Sequence, residues 1–364
     1  MSDRTILIMA AGTGGHIFPA LSIATLLQEH GVSVEWLGTP TGMENQVLEG
    51  TGIRLHKLPV SGLRGKGKLA LLKAPFMLMS SIWQAARLIR HLRPCCVLGM
   101  GGYVTGPGGI ASWLLRRPLL IHEQNAVAGL SNRLLAPFSV RIMEAFPGTF
   151  SASAKVIATG NPVRAEIEAV RQDHVKGFDR SQPMRLLVLG GSLGAAAINT
   201  VLPGAVVAAG GSDVVEVWHQ TGRGKLEQTR QCYARAGLDE SERCRVVAFI
   251  DDMASAYRWA DLVLCRAGAG VVFELAAAGV ASLLVPYPHA VDDHQSRNAQ
   301  WLVQAGAALL IAQSELSEAR LAHELTELRK HPTQLQSMAT AAAACAVPDA
   351  AQKLTSICLE VCNG

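Results

Sequence analysis

Twice along the chain a short apolar, β-rich run ends in glycines and passes directly into an alanine- and leucine-rich helix. The first is Thr5-Ile6-Leu7-Ile8-Met9-Ala10-Ala11-Gly12-Thr13-Gly14-Gly15-His16, and the second is Arg185-Leu186-Leu187-Val188-Leu189-Gly190-Gly191-Ser192-Leu193-Gly194. Such a turn leaves backbone N–H groups at a helix N-terminus facing an anion. Two starts of this kind predict two nucleotide-type α/β domains. Strand-like runs alternate with helical stretches throughout, which predicts parallel sheets built from βαβ units. Candidate strands lie near 5–10, 32–37, 54–60, 95–99, 118–122, 140–145 and 155–159, then near 185–190, 214–219, 245–249, 261–265, 281–285 and 308–311.

With 364 residues, the chain suits two domains of ordinary size, each able to bury its own core. Residues 160–183 carry Gly160, Asn161-Pro162, a charged stretch and Pro183, and read as the crossing between a domain of 1–160 and one of 161–347. A final helix over about 348–364 is expected to pack back on the first domain. Charge divides unevenly: residues 1–160 hold 15 Lys and Arg against 7 Asp and Glu, whereas residues 161–364 hold 18 against 22. A basic first half suits an anionic partner such as a phosphorylated substrate, an acidic membrane surface or nucleic acid. No uncharged apolar run reaches the roughly 18 residues that span a bilayer, and Asp3 and Arg4 precede the first strand without a signal-peptide pattern, so a cytosolic protein is expected. The eight cysteines are scattered without zinc-knuckle or redox spacing and are expected to be reduced thiols of the core.

Gly12-Thr13-Gly14-Gly15-His16 lacks the third glycine of a dinucleotide fingerprint, since residue 17 is Ile, and the lysine of a P-loop. Its glycines admit a diphosphate or a bulky acceptor, and His16 at the helix start is placed to take a hydroxyl proton. The alternative is a tight turn with a capping histidine. A second glycine-rich stretch, Gly99-Met100-Gly101-Gly102-Tyr103-Val104-Thr105-Gly106, and the cluster His122-Glu123-Gln124-Asn125 also follow strands, where open α/β sheets bind ligands. Of that cluster Asn125 is the candidate reader of sugar hydroxyls, with loop hydrogen bonds and helix caps as the alternative. In the second half, Phe249-Ile250-Asp251-Asp252-Met253 ends a strand, and Cys265-Arg266-Ala267-Gly268-Ala269-Gly270-Val271-Val272-Phe273-Glu274 leads into a helix. A glutamate one turn inside that helix can accept two hydrogen bonds from a ribose diol, or can simply complement the helix dipole. His289, Asp292, Asp293, His294, Gln295 and Asn298 form a polar loop without compact metal-ligand spacing.

The stretch Ser61 to Lys68 is basic, with Arg64, Lys66 and Lys68, and is followed by Leu69, Leu72, Lys73 and Phe76. Together with Leu63 these suit attachment to anionic lipid headgroups. A nucleic-acid surface is disfavoured, because the basic residues are interleaved with aliphatic ones and lack stacking aromatics.

Taken together, Gly-Thr-Gly-Gly-His at 12–16, Gly-Met-Gly-Gly-Tyr-Val at 99–104, His-Glu-Gln-Asn at 122–125, Gly-Asn-Pro-Val-Arg at 160–164 and Phe-Ile-Asp-Asp-Met at 249–253 closely resemble the MurG family of bacterial peptidoglycan glycosyltransferases, in glycosyltransferase family 28. The resemblance implies a GT-B fold, with two Rossmann-like α/β domains facing across a cleft. It also implies inverting transfer of N-acetylglucosamine from UDP-N-acetylglucosamine to the C4 hydroxyl of lipid I, giving lipid II, with no metal or other cofactor. Donor contacts are then expected from Ile250 to uracil, Glu274 to ribose, the helix start of Ala269, Gly270, Val271, Val272 and Phe273 to diphosphate, and Ser192 and Arg164 to phosphates. Asn125 and Gln295 would hold the sugar, Thr13, Gly14 and Gly15 would line the cleft, and His16 is the candidate base. Tyr103 joins the basic stretch on the acceptor and membrane side. The resemblance further implies peripheral residence at the cytoplasmic face of the inner membrane, with cell-wall and division proteins as partners. Leu193 and Ala267 depart from the family pattern, which often has Gln and Ser there.

Overall fold

The computed structural model describes residues 4–60, 68–172, 181–191 and 195–363. They fall into two compact units, residues 1–162 with 349–364, and residues 163–348.

Unit 1 begins with β1 (Thr5–Ala10), α1 (Gly14–Glu29), β2 (Ser33–Gly38), α2 (Glu44–Val47), β3 (Arg54–Lys57) and α3 (Lys68–Leu92). It continues through β4 (Cys96–Gly101), α4 (Thr105–Leu114), β5 (Leu119–Glu123), α5 (Leu130–Leu135), β6 (Arg141–Glu144) and β7 (Val156–Ala158). The strands form one sheet in the order β3-β2-β1-β4-β5-β6-β7, every pair parallel. Because side chains alternate across a strand, β1 feeds both faces. Ile6, Ile8 and Ala10 pack with Ile17, Ala20, Ile23 and Leu27 of α1. Leu7 and Met9 pack on the other face with Ala85 and Ile89 of α3 and Ala111 of α4. Trp36 of β2 is fully buried, and its indole N–H donates to the Ala10 carbonyl at 2.8 Å, tying down the end of β1.

Unit 2 comprises α6 (Ala165–Glu168), β8 (Met184–Leu189), α7 (Ala196–Ala208), β9 (Val215–Gln220), α8 (Leu226–Arg235), β10 (Cys244–Val247) and α9 (Met253–Trp259). Then come β11 (Leu262–Cys265), α10 (Ala269–Ala278), β12 (Ala281–Leu284), α11 (His294–Gln304), β13 (Ala308–Leu310), α12 (Glu318–Lys330) and α13 (Pro332–Ala344). Its sheet, β10-β9-β8-β11-β12-β13, is again all parallel. Both sheets are thus of Rossmann type, and all thirteen strands lie where the alternating pattern places them, with ends that differ by a few residues. Residues 165–172 form a short helix and a 3-10 turn within unit 2.

The chain returns to unit 1 as α14 (Ala350–Asn363), which buries Leu354 and Cys358 in the core on the α1 side of the sheet. This return overturns the expectation that every cysteine is reduced. Cys95, at the start of β4, is joined to Cys362 across a sequence separation of 267, with Cα atoms 5.0 Å apart. Linear spacing could not show the pair, because only the docking of α14 brings the two sites together. Cys96, Cys244, Cys265 and Cys358 are buried free thiols, and Cys232 and Cys345 are half-buried. Burial pushes the Cys244 thiol up to about 11, leaving it an inert small hydrophobe.

Unit 2 buries a polar network in its core. His219 Nδ1 lies 3.0 Å from the Tyr233 hydroxyl and Nε2 lies 3.1 Å from Asn199 Oδ1, while Asn199 Nδ2 donates to the Thr221 carbonyl and Thr229 Oγ1. Burial lowers His219 to about 3, so the imidazole is neutral.

Cross-linking a loop this long contributes up to about 5 kcal/mol by restricting the unfolded chain. Cys362→Ser, or reduction, is therefore expected to lower the unfolding temperature of unit 1 by several degrees, which calorimetry with and without reductant measures. The folded pKa of His219 lies below its unfolded value near 6.5, so its stabilising contribution is complete above that pH and declines as pH falls toward 3, by about 1.4 kcal/mol per pH unit. In urea titrations from pH 6.5 to 5 the stability gap between wild type and His219→Gln is expected to narrow; a constant gap would contradict a neutral His219.

Candidate functional site

In each unit the strand order reverses direction at one place, between β1 and β4 in unit 1 and between β8 and β11 in unit 2. Ligands of open α/β sheets bind beyond the carboxyl ends of the strands at such a point, because the connections on either side leave toward opposite faces. The first glycine turn identified in the sequence stands there, as do Gly190 and Gly191 of the second.

In unit 1, Gly12 adopts φ +102 and α1 starts after an extended Thr13, whose carbonyl accepts the N–H groups of His16 and Ile17 at 3.1 and 3.3 Å. No side chain caps this helix. The turn is held from below by Glu44, a fully buried carboxylate. Its Oε1 accepts from Thr39 N–H and Oγ1 at 2.6 and 2.7 Å, and its Oε2 accepts from Gly12 N–H at 3.4 Å. Opposite, β4 ends in Gly101 and Gly102, both at positive φ. A Cβ on Gly101 would lie 2.6 Å from His16 Nδ1, and one on Gly102 would lie 2.4 Å from the Ala11 carbonyl oxygen, so the close approach demands glycine at both places.

His16 Nδ1 is 3.1 Å from Gln124 Oε1, and the buried Gln124 donates from Nε2 to the Met100 carbonyl at 2.7 Å. Glu123 organises the loop beyond β5. One carboxylate oxygen accepts Asn125 N–H and Nδ2 at 3.1 and 3.2 Å, and the other accepts Gly129 N–H and Asn132 Nδ2 at 3.0 and 2.9 Å. Asn125 is therefore held by its own neighbour. His122 lies 3.1 Å from the Gly160 carbonyl, and burial keeps it neutral at about 4.

In unit 2, α10 starts at an extended Gly268 with no side-chain cap, and neither Gly268 nor Gly270 would bring a Cβ within 4 Å of any atom. The N–H groups of Ala269, Gly270 and Val271 have no intrahelical carbonyl to meet and face an open approach, with the positive end of the helix dipole behind them. Glu274, one turn on, accepts from the Tyr257 hydroxyl at 2.9 Å and lies 3.6 Å from Arg164 Nη2. Burial raises its carboxyl, while Arg164 and the Tyr257 hydrogen bond pull it back. Val272 and Phe273 are buried, with Phe273 stacked on Trp301 at 4.9 Å, so among the expected donor residues these two pack the interior. The Ile250 N–H is donated to Gln220 Oε1 at 2.9 Å, so that amide is already engaged within unit 2. Gln295 Oε1 accepts the Tyr287 N–H at 2.9 Å. Arg266 braces the same loop through the Val285 and Pro286 carbonyls at 3.0 and 3.2 Å and through Gln313 at 2.6 Å.

Ser192, Leu63, Arg64 and Lys66 fall outside the described residues, and of Lys68, Leu69, Leu72 and Lys73 only the backbone, in the first turns of α3, is described. Phe76 and Tyr103 are exposed at 74% and 60%. Other large apolar side chains are exposed as well: Met79 and Trp83 of α3, Trp113 of α4, and Leu130 and Leu134 of α5. No described helix is long and apolar enough to cross a membrane. Among the described residues, metal-ligand spacing occurs at Cys95, Cys96 and Cys362, where the disulfide already engages two of the sulfurs.

Glu44, Gln124, Tyr257 and Arg266 were not selected from sequence. A buried glutamate or glutamine is legible only once its neighbours are known; Gln124 and Arg266 do stand in stretches that the sequence marks.

Two family models match the chain: the glycosyltransferase family 28 N-terminal domain over residues 6–144 and its C-terminal domain over residues 185–354. A protein of Stutzerimonas stutzeri named UDP-N-acetylglucosamine--N-acetylmuramyl-(pentapeptide) pyrophosphoryl-undecaprenol N-acetylglucosamine transferase is 54% identical over 361 residues, covering 99% of each chain. The Pseudomonas syringae protein of that name is 51% identical over the full length of both. The crystal structure of Acinetobacter baumannii MurG superposes with a TM-score of 0.82 at 40% identity, covering 98% of this chain and 99% of that one. A Neisseria meningitidis UDP-GlcNAc 2-epimerase, at 15% identity and a TM-score of 0.65, shares the fold alone. With both halves matched in order and relatives above 50% identity end to end, the chain belongs to glycosyltransferase family 28.

Proposed function

We propose that this chain transfers N-acetylglucosamine from UDP-N-acetylglucosamine to the C4 hydroxyl of the N-acetylmuramyl residue of lipid I, producing lipid II and UDP. The carrying observation is the full-length identity to relatives whose names specify this transfer. The geometry within each unit supports it. In unit 2 the uncapped α10 N-terminus suits a diphosphate, Glu274 suits the ribose diol, and the Ile250 carbonyl suits a donor on the base edge. Gln295, in the first turn of α11 and bonded to the loop that Arg266 braces, and Asn125 are assigned to the sugar.

In the proposed reaction the C4 oxygen attacks the anomeric carbon as the bond to the diphosphate breaks, inverting that centre. The hydroxyl proton passes to His16, and the electron pair leaves with UDP. Helix dipole and backbone N–H groups at α10 stabilise the growing charge on the leaving group. Arg164 adds positive charge beside Glu274, a role that the ion pair makes shared between phosphate and ribose. Thr13, Gly14 and Gly15 are assigned to the space for the acceptor.

Membrane attachment is proposed to be peripheral, at the cytoplasmic leaflet. The basic residues Arg64, Lys66, Lys68 and Lys73 would meet anionic headgroups while Leu63, Leu69, Leu72 and Phe76 enter the interface. Met79, Trp83 and Trp113, exposed at 65%, 63% and 50%, enlarge the apolar part of that surface.

Turnover of UDP-N-acetylglucosamine with a lipid I analogue tests the reading directly, and release of UDP without disaccharide formation would overturn it. His16→Ala is expected to lower kcat by about a hundredfold or more while leaving donor affinity near wild type; retention of most of kcat would remove His16 as base. Activity is expected to persist in excess EDTA, and abolition by chelator would overturn the metal-free mechanism. In flotation assays the protein is expected to rise with anionic vesicles, less so as salt increases, and a Phe76→Ser/Trp83→Ser double variant is expected to partition less. Equal partitioning would remove this face as the attachment surface.

A further inference from the structure

The hydrogen bonds around His16 fix more than its position. Gln124 is buried, and its two amide atoms contact two different groups. The Met100 carbonyl, 2.7 Å away, can only accept, so the Gln124 NH2 must point to it. That orientation turns the amide oxygen, which also only accepts, toward His16 Nδ1 at 3.1 Å. For the contact to be a hydrogen bond, Nδ1 must carry the proton. In the neutral ring the lone pair then resides on Nε2, and among the described residues no hydrogen bond involving His16 Nε2 is formed.

We propose that Gln124 is the positioning residue that sets the tautomer of His16, holding Nδ1–H and presenting Nε2 as the proton acceptor. The inference rests on the proposed role of His16, but its structural part is independent of that role. The surroundings reinforce the choice. Gly101 allows the ring to lie against the end of β4 within reach of Gln124, where a Cβ would stand 2.6 Å from Nδ1 and 2.7 Å from Cε1. Met100 belongs to β4 itself, so the amide is referred to the sheet and not to a mobile loop. The chemistry of an amide also differs from that of a carboxylate in this place. A carboxylate would accept the same Nδ1–H and also stabilise the imidazolium, which retards return of the proton after transfer; a neutral amide fixes the tautomer and leaves the ring's charge balance alone.

The tautomer can be read without turnover from nitrogen-15 spectra of histidine-labelled protein, in which ring nitrogens bearing a proton and those bearing a lone pair resonate far apart. For neutral His16, assigned by its loss in His16→Ala, Nδ1 is expected at the protonated position and Nε2 at the lone-pair position. Gln124→Met, similar in volume but without an acceptor, is expected to shift both signals toward exchange between tautomers. It is also expected to lower kcat at least about tenfold, within the span a positioned base contributes, with the KM for UDP-N-acetylglucosamine unchanged. Gln124→Glu restores an acceptor and is expected to return the Nδ1–H signal even if folding of Gln124→Met is impaired. A wild-type ring protonated on Nε2, or a Gln124→Met protein with the tautomer or kcat unchanged, would overturn the proposal. If the spectra show Nδ1–H as expected while His16→Ala retains its kcat, the base assignment fails and the tautomer assignment stands, so the two failures are distinct.

Discussion

Everything that can bind a ligand here follows from one constraint: a parallel sheet must be covered on both faces. In unit 1 the chain leaving β1 crosses to the face of α1 and the chain leaving β4 crosses to the face of α3 and α4, so the backbone parts at their carboxyl ends. The same parting occurs beyond β8 and β11. A gap between two diverging connections is floored by strand ends and walled by helix starts, which is where unpaired N–H groups concentrate. Gly101 and Gly102 allow the walls of unit 1 to close to contact distance, and the missing Cβ of Gly101 is the physical reason the His16 ring fits against the end of β4.

That space is kept in shape by polar groups buried under it. Glu44 gathers the Thr39 turn and the Gly12 N–H, Glu123 gathers four donors from Asn125, Gly129 and Asn132, and Gln124 ties β4 to His16. A buried carboxylate is costly unless its oxygens are satisfied, and these are. Hydrophobic packing alone would tolerate sliding of the loops by fractions of an ångström. Directional bonds to an acceptor with two fixed oxygens do not.

The strands and the two glycine turns were legible because they arise from local pattern: apolar runs of strand length, glycine where positive φ is needed, and helical periodicity afterwards. The placement of Glu274 and His16 on their helices was legible because each stands at a fixed offset from such a turn, while their proposed roles rest on the geometry around them. Three things were not. The Cys95–Cys362 link depends on α14 folding back over a separation of 267 residues. Phe273 and Val272 share a helix with the anion-facing amides, yet point inward, and a motif does not announce which of its members are core. Which backbone group of Ile250 is already engaged depends on Gln220, thirty residues earlier, which accepts its N–H. Each of these is a tertiary event, and no window along the chain contains both partners.

The two halves also differ in how their chemistry is encoded. At α10 the groups assigned to the diphosphate are peptide N–H groups and a helix dipole, which any residue without a bulky Cβ supplies. Ala267, where relatives of the family often carry Ser, is fully buried beneath that helix start, so the change removes a hydroxyl without altering the backbone that faces the anion. At His16 the reverse holds. Its proposed role depends on three particular components, an imidazole, an amide with a defined orientation, and a glycine thin enough to let them meet. Backbone-encoded binding can absorb substitutions along the motif, whereas a side-chain-encoded proton acceptor fails when any one of its supports changes. On this reading unit 1 is the half whose glycine turn tolerates least.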